Sequence, residues 1–488
     1  MVWTGNFSRL FVGGDWVAPS SADEIEVISP LTEEVIARVP SGSTADIDAA
    51  VGAAREAFDH GPWPRMTLAE RIAILRRLSE SLAERRELMA GVITDEMGCP
   101  IAQSLPLQAD VTRTILDSYL ELAPDYPFSA LRRTHRGNAL ITREPIGVVA
   151  AIVPWNMPQA VTMHKMAPAL LAGCTFVLKP APETPLDAYL LAEALQTAGL
   201  PEGVVNVVPA DRDVSEYLVT HPGVDKVAFT GSTAAGRRIA SLCGQNLRRV
   251  TLELGGKSAA IILDDADLDA AVESLRFGAL RNSGQVCTLK TRLVVSHRRA
   301  DEFVDRLGGL LDSMPVGDPT DPATQIGPMV SDRQRQRVEE YIEIGRAEGA
   351  RPVIGGGKPG GLDHGFFVQP TVFTDVEPGM RIAQEEIFGP VLSVITYDQE
   401  HDAVAIANDS PYGLAGSVFT ADPDHGLEIA RQIRTGTVEI NGTSPGWHAP
   451  FGGFKDSGLG REAGYEGFDS YVEIKSIGLP VELADRLA

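Results

Sequence analysis

Four cysteines, Cys99, Cys174, Cys243 and Cys287, are all that 488 residues contain, and no two of them form a C-x-x-C pair. This excludes a disulfide framework and a cysteine-held zinc, so each thiol is first read as a small buried hydrophobe. No metal site is expected. Basic charge is also scarce, with 43 Lys and Arg against 66 Asp and Glu and a net charge of −23. A nucleic-acid partner would need a basic surface, so that class is set aside. Long apolar runs are missing. The most apolar stretch, GVVAAIVP from Gly147 to Pro154, is much too short to span a bilayer, so no membrane partner is expected. The opening MVWTGNFSRL lacks the basic start and apolar core of a signal peptide, which makes the cytoplasm the expected compartment. Low-complexity tracts and like-charge runs are absent as well, so nothing reads as disordered.

What is present is an ordinary globular composition, 44% hydrophobic and 22% charged, in a chain long enough for roughly two to four domains. The segment from Leu10 to Pro40 alternates apolar and polar residues between turn signals, the pattern of short antiparallel strands. Helical spacing follows, with Thr44 placed to cap the first helix, an apolar run from Thr67 to Met97, and a further helix over Leu105 to Leu122. From Gly147 strands and helices alternate: GVVAAIVP, TMHKMAPALLAG, CTFVLKP, LDAYLLAEALQTAG, VVNVVP, VSEYLVTHPG and KVAFTG, then GSTAAGRRIASLC. That rhythm predicts an α/β fold with a doubly wound parallel sheet. After TLELGG a second α/β alternation runs to about Asn441. The Arg-rich stretch Arg132 to Glu144 and the terminal SYVEIKSIGLPV read as exposed strands in need of partners, hence a small unit for oligomerisation. GGGKPGG, Gly355 to Gly361, lacks a strand-to-helix setting and reads as a surface turn, not a phosphate loop.

Three residues invite a chemical reading. Cys287 in NSGQVCTLK follows Gly284 and Gln285, where the backbone can turn tightly and present a thiol able to ionise. Glu253 in LELGGKS ends an apolar strand before two glycines, where burial would make its carboxylate a usable base near neutral pH. Asn156 in VPWNMP lies in the turn after the first parallel strand, where open α/β sheets place ligands, and its amide could donate to an oxyanion. Taken singly, each has a bland alternative: core filler, salt-bridge partner, turn asparagine.

The motifs VPWNMP, KP at Lys179, FTGSTAAG, LELGGKS, GQVC, EEIFGPV and PFGGFKDSGLGRE occur in one order along the chain. Together they resemble the aldehyde dehydrogenase superfamily, as do ISPLTEEVIARVP and NDSPYGLAGSVF, so the likeness covers nearly the whole sequence. The 34 residues between Glu253 and Cys287 match hydrolytic members. The resemblance implies a three-part fold: a cofactor domain over 1–125 and 146–254, a catalytic domain over 255–445, and oligomerisation strands over 126–145 and 470–488. It also implies a homodimer or homotetramer. Cys287 would attack an aldehyde carbonyl, the Asn156 side chain and the Cys287 backbone N–H would hold the oxyanion, and Glu253 would activate water against the thioester. Lys165 and Glu462 match positions that relay the proton. The cofactor NAD would lie along Ile152, Val153, Pro154 and Trp155. Lys179 would meet the adenosine ribose, while Gly231, Ser232, Gly236 and Leu254 would surround the pyrophosphate. Glu386 would hold the nicotinamide ribose and Phe388 would pack near the ring. Met157, Val161, His164, Val286, Thr288, Trp447 and Phe451 are the implied tunnel residues, a lining that favours an uncharged aliphatic or aromatic aldehyde.

Two departures stand out. Pro182 occupies the place where many NAD-preferring relatives carry a glutamate, with Glu183 one step later, so NADP stays open as the alternative cofactor. Thr288-Leu289-Lys290-Thr291 stands where relatives often have small residues. A CoA-acylating semialdehyde dehydrogenase is the nearest rival, disfavoured by Glu253. A cofactor-independent cysteine hydrolase or esterase is the rival from another class, disfavoured by the cofactor motifs.

Overall fold

The computed structural model describes residue 5 and residues 7–488, so part of the opening segment behind the compartment expectation lies outside the described residues. The organising element is an eight-stranded sheet. Its centre is Val148–Ile152, all five residues buried, flanked in parallel by Lys226–Thr230 and Thr175–Lys179. Arg249–Glu253 and Val205–Val207 extend the parallel core, and Leu10–Val12 with Asp15–Val17 close one edge antiparallel. A strand buried on both faces must be apolar throughout, and its alternation divides it between two cores. Val149 and Ala151 pack into the cluster under the helices Leu68–Glu84 and Pro158–Ala172, whereas Val148, Ala150 and Ile152 face the cluster under Thr44–Asp59 and Thr233–Gln245.

A second, seven-stranded sheet carries Ala259–Ile262 and Arg292–Ser296 at its middle, parallel except where Arg351–Ile354 pairs with Thr371–Thr374. The fold is thus the mixed, doubly wound α/β architecture expected. A third sheet has three strands, Ser129–Thr134, Gly137–Pro145 and Val472–Leu479, the last pairing antiparallel with the second along its whole length.

Several local expectations are corrected. Ser43, not Thr44, caps the first helix, closing a capping box with Asp46. The run over 67–97 is two helices that meet at Arg85. The helix expected from Leu105 begins at Ile101 and contains a π-helical turn over Leu105–Ala109, forced where Pro106 interrupts the regular ladder. The stretch Arg132 to Glu144 is a hairpin of two strands, and the terminal segment ends in a short helix, Val481–Arg486, after its strand. Among the described residues no helix is long and apolar enough to cross a membrane.

The cap gives a direct check. Ser43→Ala should destabilise the protein by about 1 kcal/mol, seen as a lower thermal midpoint, while Thr44→Ala should leave the midpoint almost unmoved.

Candidate active site

Parallel strands deliver their carboxyl ends to one edge, and here that edge collects most of the singled-out residues. Ile152 pairs in register with Lys179 on one side and Phe229 on the other, and Thr230 pairs with Glu253. Asn156 follows the first of these strands, Gly231 and Ser232 follow the third, and Leu254 follows the fourth. Open α/β sheets bind ligands in this crevice, because the strand ends and the helix starts both face it.

The nucleophile loop comes from the second sheet. Asn282, Ser283 and Gly284 have φ of 50°, 56° and 79°, a left-handed run that costs about 1–3 kcal/mol at each non-glycine residue unless its surroundings hold it. They do hold it. The Asn282 N–H donates to Gln103 Oε1 at 2.8 Å, and the Ser283 hydroxyl donates to the Gly327 carbonyl at 3.0 Å. Gln285 Oε1 accepts from the Val330 N–H at 3.0 Å. Gly284 is required here twice over, since a side chain would also stand 2.2 Å from the Gly389 carbonyl carbon of the IFGP motif. On the other side, a methyl at Gly256 would stand 2.5 Å from the Cys287 carbonyl oxygen, which is why the glycines of LELGG lie beside the loop.

Asn156 joins the two sheets. Its Nδ2 donates to the Gln285 carbonyl at 2.9 Å, and its own backbone carbonyl accepts from Gln108 Nε2 at 3.0 Å and Asn282 Nδ2 at 3.1 Å. An amide has two N–H groups, and the second of Asn156 has no acceptor among the described residues. Gln103, Gln108 and Asn282 were not singled out from the sequence. Pro106, which sets the π turn that aims Gln108, was the available signal.

Cys287 is half-buried, whereas the other three cysteines are buried. Burial, followed by the charges of Glu386 and Glu253, pushes its thiol up to about 12, only partly opposed by Arg281. Burial therefore favours the neutral thiol at rest. Arg281 is another group the sequence reading passed over. Glu253 is 4% exposed with neither carboxyl oxygen hydrogen-bonded, and burial with the nearby charge of Glu462 holds its pKa well above the usual carboxylate range. Lys165 Nζ sits 2.5 Å from Glu462 Oε1 and donates to the Thr230 hydroxyl at 2.6 Å, a fully enclosed pair on the far side of Glu253. The backbone of Glu462 is bridged to Phe451.

The expected cofactor residues line the same edge. Ser232 caps Thr233–Gln245 with no acidic residue in the first turn, and Leu254 lies against Gly236. Lys179 is buried and makes no hydrogen bond through its ammonium among the described residues; burial lowers it to about 8. Trp155 and Phe388 meet edge to face at 5.3 Å. Glu386 accepts from the Gly256 N–H at 2.9 Å, and burial raises it to about 7. Ile152 and Val153 are buried and Pro154 is half-buried beside them.

Of the tunnel residues, His164 lies between Trp447, at 5.8 Å, and Phe451, at 6.3 Å. Met157 and Val161 pack on the first core cluster as half-buried neighbours of that group. Val286 falls instead on the Glu386 and Phe388 side, and Thr288 is half-buried next to the thiol. The unusual Lys290 is tied to Glu439 by a 2.6 Å ion pair, which anchors the tract behind the nucleophile.

Comparison with known proteins fits this arrangement. The model of the aldehyde dehydrogenase family matches residues 16–477. The chain is 48% identical over 477 residues to geranial dehydrogenase of Castellaniella defragrans, covering 98% of this chain and 99% of that one. It is 42% identical to 3-succinoylsemialdehyde-pyridine dehydrogenase of a Pseudomonas species, covering 97% and 98%. Among solved structures, a Mycobacterium tuberculosis aldehyde dehydrogenase complexed with NAD+ superposes with a TM-score of 0.96 at 49% identity, covering 97% and 98%. A mutant aldehyde dehydrogenase of Pseudomonas syringae, complexed with NAD+ and octanal, gives 0.94 at 42%, covering 97% and 96%. The chain belongs to the aldehyde dehydrogenase family.

The thiol's state is measurable. Alkylation of Cys287 by iodoacetamide in the cofactor-free protein should rise about tenfold per pH unit from pH 7 to 10 without a plateau, followed by mass spectrometry of its peptide. A plateau below pH 9 would show a thiol far more acidic than its burial allows.

Proposed function

We propose that this protein oxidises an uncharged aldehyde to a carboxylic acid with NAD, through a thioester on Cys287 that water hydrolyses. The observation that carries this reading is the convergence on one crevice of the Cys287 loop, the Asn156 amide bound to it and the enclosed Glu253 carboxyl.

The Cys287 sulfur adds to the aldehyde carbon as its proton passes to solvent, to which the half-buried thiol is open. The spare N–H of Asn156 and the Cys287 backbone N–H stabilise the negative oxygen of the thiohemiacetal. NAD+ held by Lys179, Ser232 and Glu386 would supply the hydride acceptor for this oxidation, the loss of hydride from the carbon leaving a thioester. Glu253 in its carboxylate form then takes a proton from water as the water oxygen attacks the thioester carbon, and the thiol leaves. The proton passes on toward Glu462, Lys165 and Thr230. Because the pKa of Glu253 is raised, its base form grows as pH rises, so hydrolysis accelerates with pH on that limb.

The residues present suit NAD. The first turn of Thr233–Gln245 offers N–H groups and a positive helix end for the pyrophosphate, and the uncommitted ammonium of Lys179 suits a ribose hydroxyl. Glu386 would hold the second ribose, beside Phe388. Glu183 replaces the absent glutamate at 182: its charge is felt at Lys179 while it pairs with Arg333 at 3.0 Å, and negative charge there opposes the 2′-phosphate of NADP.

Under this reading the division into cofactor, catalytic and oligomerisation units follows the three larger sheets. The strand Val472–Leu479 exposes Ile474 and Ile477, 65% and 40% accessible, as an edge suited to a homodimer or homotetramer. A reducing cytoplasm suits a protein whose chemistry rests on a free thiol.

The test is a panel of neutral aldehydes with NAD or NADP, with and without CoA, read at the absorbance of reduced cofactor. Reduction with NAD and no need for CoA is expected; if no aldehyde reduces either cofactor, the reading fails. Cys287→Ala should abolish turnover. Glu253→Gln should let acylated enzyme accumulate, visible by intact mass, and should lose the rise of turnover with pH; unchanged steady-state turnover would remove Glu253 from its role.

A further inference from the structure

Met157, Val161 and His164 follow at intervals of four and three along Pro158–Ala172, so they share one helix face, the face that begins beside Asn156. Two of the three are apolar. The third is an imidazole stacked on Phe451 and tilted against Trp447. Its Nδ1 is sealed from solvent and has no hydrogen-bond partner, and Nε2 is the nitrogen left open, with no partner among the described residues. Burial drives this imidazole down to about 4 despite the attraction of Glu462, with Lys165 opposing protonation further, so the ring is neutral at physiological pH.

A neutral ring has one N–H and one lone pair. Sealing in an orphan N–H is rarer in proteins than sealing in an unmet acceptor, so the proton belongs on Nε2. The ring therefore offers a single donor from an otherwise apolar wall. Trp447 also borders an outer groove of about 750 Å³, lined by Asp110, Arg113, Asp117, Glu121 and His448. A single neutral donor does not offset the desolvation of a carboxylate, so a substrate ending in a carboxylate is disfavoured at that wall.

We propose that His164 selects aldehydes that carry an uncharged hydrogen-bond acceptor, a hydroxyl, ether or carbonyl oxygen, at the end remote from the aldehyde carbon. The proposal rests on the aldehyde-oxidising reading above and names the substrate class within it. His164 lies six residues beyond Pro158, roughly 9 Å along the helix at about 1.5 Å per residue, which is the reach of an extended chain of about seven carbon bonds. An aliphatic aldehyde of that length with no distal oxygen would leave Nε2–H unpaired, and an unpaired donor in an apolar wall discriminates against it.

The experiment compares kcat/KM for octanal, 8-hydroxyoctanal and 8-oxooctanoate in wild type, His164→Leu, His164→Phe and His164→Asn. Wild type should favour 8-hydroxyoctanal over octanal by about tenfold and accept 8-oxooctanoate worst. His164→Leu should bring the hydroxyaldehyde-to-octanal ratio close to one. His164→Phe keeps the stacking with Trp447 and Phe451 and should do the same, which keeps the test open should the leucine variant not fold. His164→Asn, which retains an amide donor, should restore part of the preference. A wild-type preference for octanal, or a ratio that survives both His164→Leu and His164→Phe, overturns the proposal. Failure of the wild type to oxidise any of the three aldehydes would instead strike the aldehyde-oxidising reading itself.

Discussion

One hydrogen bond, from the Asn156 amide to the Gln285 carbonyl, ties the edge of the first sheet to the nucleophile loop of the second. Asn156 stands just past the strand Val148–Ile152, and Gln285 stands just before the strand Arg292–Ser296. Each residue is positioned by its own sheet, so the bond is good only when the two sheets are correctly docked. The separation between the Cys287 loop and the Asn156 amide is thereby set by the packing of whole layers. Gln103, Gln108 and Asn282 reinforce the same junction from a third direction, through the π turn of the helix beneath it.

The electrostatics of the site follow from that close docking. Cys287, Glu253 and Glu386 are crowded into a poorly solvated space, and all three are pushed toward their neutral forms. Enclosing several charges of one sign would cost several kcal/mol for each uncompensated ion, whereas enclosing their protonated forms costs far less. The charge that is kept, on Lys165 and Glu462, is kept as a contact pair. Activation is then a matter of moving protons within the site as substrate and cofactor enter, because no free anion waits there.

Much of this could be read from the chain alone. The βα rhythm from Gly147 gave the doubly wound sheet, since parallel strands buried on both faces must be apolar throughout. The turn at Asn156, after the first parallel strand, then placed the crevice. The resemblance supplied Lys165 and Glu462, which no local pattern could have paired across 297 positions of sequence. Residues that act through tertiary contact stayed hidden. Gln103, Gln108 and Asn282 are polar groups on a helix and a turn, and nothing in their spacing reveals that Gln108 and Asn282 meet at Asn156 while Gln103 holds Asn282. Arg281 gave no sign of its nearness to the thiol. The Ser43 cap was missed by one position because a Ser-Thr pair offers two hydroxyls and only geometry chooses between them. His164 shows the converse case: the sequence could name it, but only its unpaired nitrogen separates a specificity residue from a core histidine.

The closing strand Val472–Leu479 pairs with Gly137–Pro145 across more than three hundred intervening residues, and Trp447, Phe451 and Glu462 come from the same late stretch. During synthesis, the hairpin that awaits this strand emerges from the ribosome tens of seconds before its partner does, at roughly 5–20 residues per second. Its unpaired edge is exposed for that whole interval, protected only by the arginines and threonines along it. The contact between Lys165 and Glu462 cannot form before that stretch has been made. The enclosed Lys165–Glu462 pair therefore waits on the same late stretch that supplies the third strand of the small sheet.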